Sequence, residues 1–529
     1  MKNQTTNYTA IPKEKFTLVN EGRRLADKKF DDKPIGYLKD AWIRFRKNKS
    51  SIIATIIIIC IVLFALLAPI FISDHSLTFM DVYYAKKPAR NLTLMKIGVA
   101  DGTVTRSMTD ASLIKQIAVG VAAEDHDGNT QITLGEALDS YYQPIKTIGE
   151  SESYTEIKGA KPKTVFKDNK LDTYLEVGFM YKSIEQSEYN NILAWQEETG
   201  KQILYPLVED NEYNLDPLDA NNWYKSKKGV PVYVDAETGK ATKQEYSLDL
   251  VLEDNYKRDA DGNPVYFEYT GGGSHETAQF RVRILYYNYY IYQNGFEPEY
   301  IFGTDAQGYD LAVRMASGLR LSLMLAVVVS AINMLIGAML GAVMGYYGGW
   351  VDLIMQRICD ILWDMPFIVV ASLFQMHFAA KVGVLVCLIF AYVTTGWIGM
   401  AGRTRTQFYR FKGQEYVMAA RTLGAKDRRI IWKHIFPNAI GTIITGSILM
   451  IPGTISSESM LSYLGIVKLG SATQTSLGTL LADAAGIWTN YPHLLLYPSI
   501  VLSLLMICFN LFGNGLRDAF NPSLRGVED

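Results

Sequence analysis

Apolar residues in this chain are gathered into blocks. Five stretches, residues 51–72, 321–350, 382–402, 435–457 and 494–516, are nearly or wholly free of charge. Each reaches the roughly 20 helical residues needed to cross about 30 Å of hydrocarbon. A sixth block, residues 358–376, is interrupted by Asp360 and Asp364. Only its last part is charge-free, so a spanning helix there has to extend back through Asp364, Asp360 and Arg357. Arg357, Asp360 and Asp364 then share a face, with Arg357 in reach of Asp360, and Pro366 kinks or starts the helix. The pattern predicts an α-helical polytopic membrane protein with six spans.

Between the first and second spans the periodicity changes. "ASLIKQIAVGVAAE" sets Leu113, Ile114, Ile117, Ala118 and Val121 on one helical face. "VPVYVDAETGKATKQEYSLDLVLE" and "RDADGNPVYFEYTGGG" alternate around turn residues, as hairpins do. "FRVRILYYNYYIYQ", residues 280–293, reads as a strand whose tyrosines pack as aromatic faces or stack on a sugar or peptide. The organisation expected is a tail at 1–48, a first span at 49–73, an inserted α+β domain at 74–300 and a five-span core at 301–529.

Charge gives this layout a direction. Residues 74–300 hold 36 Asp and Glu against 23 Lys and Arg, a net of −13, which leaves the remainder at +11. The basic residues crowd beside spans: Arg44, Arg46, Lys47 and Lys49 before the first, and nine against two acidic ones in residues 403–434. Short basic loops stay in the cytoplasm. Both termini and the 411–437 loop are therefore expected inside a cell membrane, and residues 74–300 outside. All four cysteines fall in or beside spans, so no disulfide braces the outer segment.

The 411–437 loop carries an ordered pattern. Residues 414–423 are good helix formers, and Gly424 supplies a left-handed cap. Asp427 is placed to N-cap a second helix towards His434, and Pro437 resets the chain at the next span. Small Ala419 and Ala420 allow close docking to another surface.

This segment resembles the Glu-Ala-Ala loop of ABC-importer permeases. Met418, Ala419, Ala420, Gly424 and Pro437 stand at that motif's spacing. Met418 replaces the glutamate, with Glu415 one turn earlier; His434 and Phe436 replace two aliphatics. "FGTDAQGYDLAVRMASGLRLSL", "ISSESMLSYLGI" and "GNGLRDAFNPSLR" resemble the oligopeptide/dipeptide-type branch and its C-type permease subunit, with Tyr309 where an arginine is usual. The resemblance covers 300–525 closely and 40–73 loosely.

It implies a type I importer: a second permease subunit, two cytoplasmic ABC ATPases and an extracellular substrate-binding protein, all around a membrane-embedded path. The implied function is a peptide permease whose loop residues Glu415, Met418, Ala419, Ala420, Gly424 and Pro437 couple to an ATPase. The alternatives are an importer of oligosaccharides, or a sensory or cell-wall-regulating membrane protein with an ATPase partner. No phosphate-binding Gly-x-x-x-x-Gly-Lys-Ser/Thr occurs, so ATP is expected on partner subunits and the chain is not expected to be an enzyme. Nucleic acid is not an expected partner; lipid is.

"DHDGNTQITLGE", residues 125–136, follows one amphipathic helix and precedes another expected in "LGEALDSYY". Asp125, Asp127, Asn129, the Gln131 carbonyl, Thr133 and Glu136 fall at the ligand positions of a calcium-binding hand. Thr130 stands where glycine is usual, and a solvated turn is the other reading. Apart from such a calcium ion, no cofactor is expected.

Overall fold

The computed structural model describes residues 37–71, 75–125, 128, 131–154, 163–214, 216, 218–270, 279–471 and 474–520. Helix α1 (Tyr37–Lys47) has Asp40 in its first turn and Arg44, Arg46 and Lys47 in its last, the polarity the helix dipole favours. Its Ala41 and Phe45 pack on Phe512, Leu516 and Ala519. Asn48 separates it from α2 (Lys49–Phe71), the first apolar span.

Strand β1 (Thr103–Thr109) runs into α3 (Asp110–Glu124), with the Thr109 hydroxyl accepting from the Ser112 amide as N-cap. The predicted apolar face of α3 is buried, and so are Val119, Gly120, Ala122 and Ala123. Trp223 and Tyr205 cover them, donating to the Ala118 and Ala123 carbonyls at 2.9 Å each. Strands β2 (Ile145–Thr147), β3 (Ser151–Tyr154) and β4 (Lys163–Asp172) join β1 in an antiparallel sheet in which β4 pairs with the other three. Then come β5 (Phe179–Glu185), α4 (Gln186–Thr199) and β6 (Leu204–Tyr205). The first predicted hairpin is present as β8 (Val230–Val234) and β9 (Ala241–Lys243), flanked by β7 (Ser226–Lys227). A second four-stranded antiparallel sheet is built around β11 (Gln279–Leu285), which pairs with β10 (Phe267–Thr270), β5 and β6.

The tyrosine-rich run departs from expectation. It is a strand only as far as Leu285; Tyr286–Asn294 is helix α5, closed by Gly295 in the left-handed region. Tyrosines at nearly every position leave no polar face for a strand to expose, and here Tyr286, Tyr287, Tyr289 and Tyr290 are all buried. Each of these four phenols meets a partner, as buried tyrosines usually do. Tyr286 donates to Asp81 at 2.6 Å and Tyr289 to Glu188 at 3.0 Å, Tyr287 accepts from Arg90 at 3.0 Å, and Tyr290 meets His75 at 2.8 Å.

The membrane core begins with α6 (Leu311–Tyr347), N-capped by Asp310. Then come α7 (Gly349–Trp363), α8 (Phe367–Val382), α9 (Val384–Gly396), α10 (Ile398–Lys412), α11 (Glu415–Thr422) and α12 (Asp427–Arg429). A π-turn, Ile430–Ile435, leads into α13 (Phe436–Ile448), α14 (Met450–Tyr463), α15 (Leu477–Ala485) and α16 (His493–Phe520). Among the described residues, five helical stretches are long and apolar enough to cross a membrane: Lys49–Ile70, Leu311–Tyr347, Val384–Lys412, Asp427–Tyr463 and His493–Phe520.

The sixth expected span is not one helix. Helices α7 and α8 meet at 75° and count as a span only if taken together. Asp364 caps the end of α7 and Pro366 the start of α8. Here the chain breaks at the proline, whose ring clashes with the carbonyl four residues back, although Arg357 and Asp360 do pair, at 3.2 Å.

Helices α6 and α10 lie against each other along Gly337, Gly341 and Gly345. A Cβ on Gly341 would stand 2.3 Å from the Ala401 carbonyl oxygen, so backbone meets backbone as in small-residue membrane helix pairs.

Candidate functional site

The 411–437 elbow lies at the C-terminal ends of α6 and α10. Its short helix α11 starts at Glu415, and Gly424, at φ +82°, turns the chain sharply enough for α12 to fold back. That is the left-handed cap the glycine predicts. Asp427 departs from its predicted role. Lys426 is the N-cap, and Asp427 is the first helical residue, its carboxylate accepting from the Tyr346 hydroxyl at 2.5 Å. Arg421 of α11 donates to the same hydroxyl at 3.3 Å. Lys412 donates to the Gly345 and Tyr346 carbonyls at 3.3 and 3.4 Å, covering groups that the end of α6 leaves bare.

Pro437 does not reset the chain. The helix runs from Asp427 to Tyr463, and the strain is taken up in the π-turn just before the proline, where the Phe436 amide donates to the Ile431 carbonyl. A widened turn makes room for a ring that otherwise clashes with the carbonyl four residues back.

The elbow has two faces. Inward, fully buried Val417 joins Ile430, Ile431, Ile435 and Ala439 in one core with Ala338, Ala342, Tyr346, Met400 and Phe408 of α6 and α10. Outward, Glu415, Met418, Ala419 and Leu423 are exposed, Met418 to 51% and Leu423 to 88%; Ala420 is half-buried. These side chains leave the outward face of the elbow open within this chain. Sequence reasoning missed two features. Val417 is the anchor, and nothing in its local spacing marks it, because Ile430 lies beyond the Gly424 turn. Asp352 in the first turn of α7 receives a bidentate pair from Arg405 at 2.6 Å and the Tyr409 hydroxyl at 2.8 Å, tying α7 to α10. The i, i+4 spacing of Arg405 and Tyr409 was its only trace in the sequence.

The Gly303-Thr304-Asp305 and Gly308-Tyr309-Asp310 segment docks the chain entering α6. Asp305 accepts from the Gln307, Gly308 and Tyr309 amides at 2.9 Å each. At Gly308, φ is +100° and a Cβ would lie 2.0 Å from the Asp81 carbonyl oxygen, so only glycine fits. Asp310 caps α6 and lies 3.3 Å from His75, whose ring stacks on Tyr300 at 4.3 Å.

The expected calcium loop is differently built. Asp127 and Asn129 lie outside the described residues. Asp125 is buried at the end of α3, and Gln131 is exposed. Thr133 and Glu136 cap each other, amide to carboxylate at 3.2 Å and amide to hydroxyl at 3.4 Å, a capping box. The helix expected to leave the loop is one 3₁₀ turn, Glu136–Asp139. Among the described residues no three His, Cys, Asp or Glu side chains converge as metal ligands do.

A helical permease with an exposed elbow between two helix ends is the class of protein that this arrangement defines. Residues 337–526 match the model of binding-protein-dependent transport system inner membrane components, and residues 36–89 match the N-terminal membrane domain of oligopeptide transport permease C. The oligopeptide transport system permease protein OppC of Bacillus subtilis is 40% identical over 224 residues, 42% of this chain and 72% of that protein. The dipeptide permease DppC of the same organism is 39% identical, over 42% of this chain and 69% of its own length. OppC of Escherichia coli is 41% identical, over 43% and 74%.

The chain belongs to this family of peptide-transport permease subunits. It is a multi-pass membrane protein whose role is transport, not catalysis. Membership brings with it ATPase subunits, a second permease subunit and a substrate-binding protein as partners. Residues 90–336 lie outside both matched stretches.

Proposed function

We propose that this chain is one of two permease subunits in a type I ABC importer of oligopeptides, seated on two cytoplasmic ATPases and supplied by an extracellular binding protein. The termini and the elbow face the cytoplasm, and residues 74–300 form an extracellular platform for that binding protein. The observation that carries the reading is the two-faced elbow: a buried valine on the permease core, and Met418 and Leu423 held out in solvent. Glu415, Met418, Ala419 and Ala420 are the contact residues, Gly424 is the bend, and Pro437 sits just past the π-turn in the helix that responds. The family relationship to OppC and DppC supports peptides as cargo. Calcium is no part of the reading, because Glu136 already serves as a cap and no exiting helix follows.

A photo-crosslinking residue at position 423, in membranes containing the whole assembly, tests this. Capture of an ATPase subunit is the expected result. Capture of lipid alone would remove the importer assignment for the elbow.

A further inference from the structure

A cleft of about 890 Å³ opens where the inserted segment meets the chain entering α16. One wall is β1, through Thr103, Thr105 and Arg106; the second is Lys86 and Lys87; the third is Tyr491 and its neighbours, directly before the apolar span that starts at His493. Lys86 stands over the Tyr491 ring at 5.7 Å.

Its charges do not balance. Lys86, Lys87 and Arg106 line the cleft against a single carboxylate, Glu176. Arg106 holds one oxygen of that carboxylate at 2.7 Å, which leaves Lys87 with the other at 3.8 Å. That is longer than a hydrogen bond. The Lys87 side chain is only 13% exposed, and burial pushes its pKa down, against the pull of Glu176. A buried ammonium is costly unless paired. The Thr103 hydroxyl donates to Asp101 at 2.6 Å, so the ammonium groups, with the Thr105 hydroxyl beside them, offer the donors that a tetrahedral oxyanion accepts.

Position selects the source. The third wall ends where a membrane span begins, and Tyr491 with exposed Trp488 is the aromatic pairing typical of a headgroup layer. We infer that this cleft binds the phosphate of an anionic phospholipid headgroup, with Lys86 and Lys87 as its principal contacts and Arg106 held in place by Glu176. The site needs no transport activity and does not depend on which leaflet it faces.

Native mass spectrometry of the purified full-length protein tests it, with phosphatidylglycerol, phosphatidylcholine or inorganic phosphate as the added probe. The wild type retains phosphatidylglycerol in preference to phosphatidylcholine. Lys86→Gln and Lys87→Gln each weaken that retention about tenfold, the loss of one charge-assisted hydrogen bond, while Lys243→Gln, away from the cleft, does not. Should Lys87→Gln fail to fold, Lys86→Gln carries the test alone. Equal retention of both lipids by the wild type and Lys86→Gln overturns the site. Binding of inorganic phosphate without phosphatidylglycerol overturns the lipid source. Either failure leaves the elbow crosslink, and with it the importer reading, untouched.

Discussion

Tyr346, in the last turn of α6, hydrogen-bonds Asp427, the first residue of α12 within the elbow, at 2.5 Å. Two helices far apart in sequence are thereby joined at the point where the elbow leaves the core. Arg421 reaches the same hydroxyl from α11, so three segments share one phenol.

Removing that phenol should loosen the elbow without unfolding the core. Tyr346→Phe keeps the ring and loses a hydrogen bond to a charged group, about 1.5–3 kcal/mol. In a reconstituted assembly, ATP hydrolysis should continue while uptake per ATP falls several-fold. Uptake and hydrolysis falling together would show that the bond serves stability alone.

Gly424 makes a different test, because a Cβ there meets nothing within 4 Å. The cost of Gly424→Ala is confined to the left-handed backbone, about 1–2 kcal/mol. Membrane insertion and thermal stability should stay near wild type, and transport should drop. A bulky residue should uncouple hydrolysis from uptake; unchanged transport would count against the elbow as a coupler.

Gly341 should behave in the opposite way. Any side chain there drives against the Ala401 carbonyl, and overpacking of this kind costs about 1–3 kcal/mol. Gly341→Val should lower the melting temperature of the purified protein, with transport lost in proportion to folded protein.

The entry to α6 should carry a pH signature. Burial raises the Asp81 carboxyl above its ordinary range, although Tyr286, the Tyr83 and Tyr84 amides and His75 pull it back. A raised carboxyl binds its proton more tightly in the folded state, so this group's contribution is fullest below the ordinary carboxylate pKa and is lost as pH climbs through the raised value. Wild-type stability relative to Asp81→Asn should therefore fall with rising pH across that acidic window. Parallel melting curves for the two proteins would show that Asp81 titrates normally.

Calcium should make no difference to melting. The wild-type protein with calcium and with chelator should unfold at the same temperature, because the Glu136 carboxylate is committed to the Thr133 amide.

Five of the spans were legible because lipid imposes a simple rule, about twenty apolar residues with charges at the ends; the glycines where α6 meets α10 were not read, and the sixth span is broken at Pro366. Gly424 was readable, since a left-handed cap depends on one residue. What escaped the sequence depends on partners distant along the chain. Tyr286–Asn294 is a helix because His75, Asp81, Arg90 and Glu188 wait for its phenols, and nothing local announces them. Asp427 looks like a cap until Tyr346 is placed beside it. Pro437 looks like a break until the π-turn absorbs it.

One consequence reaches across the molecule. Helix α6 has 37 residues, about 55 Å of continuous rod at 1.5 Å per residue. Its C-terminal tip is held by the elbow, and its N-terminal tip by His75 through Asp310. A tilt imposed at one tip is therefore passed to the tyrosine-packed base of the insert at the other. On the proposed reading, the insert would register the nucleotide state of the motor.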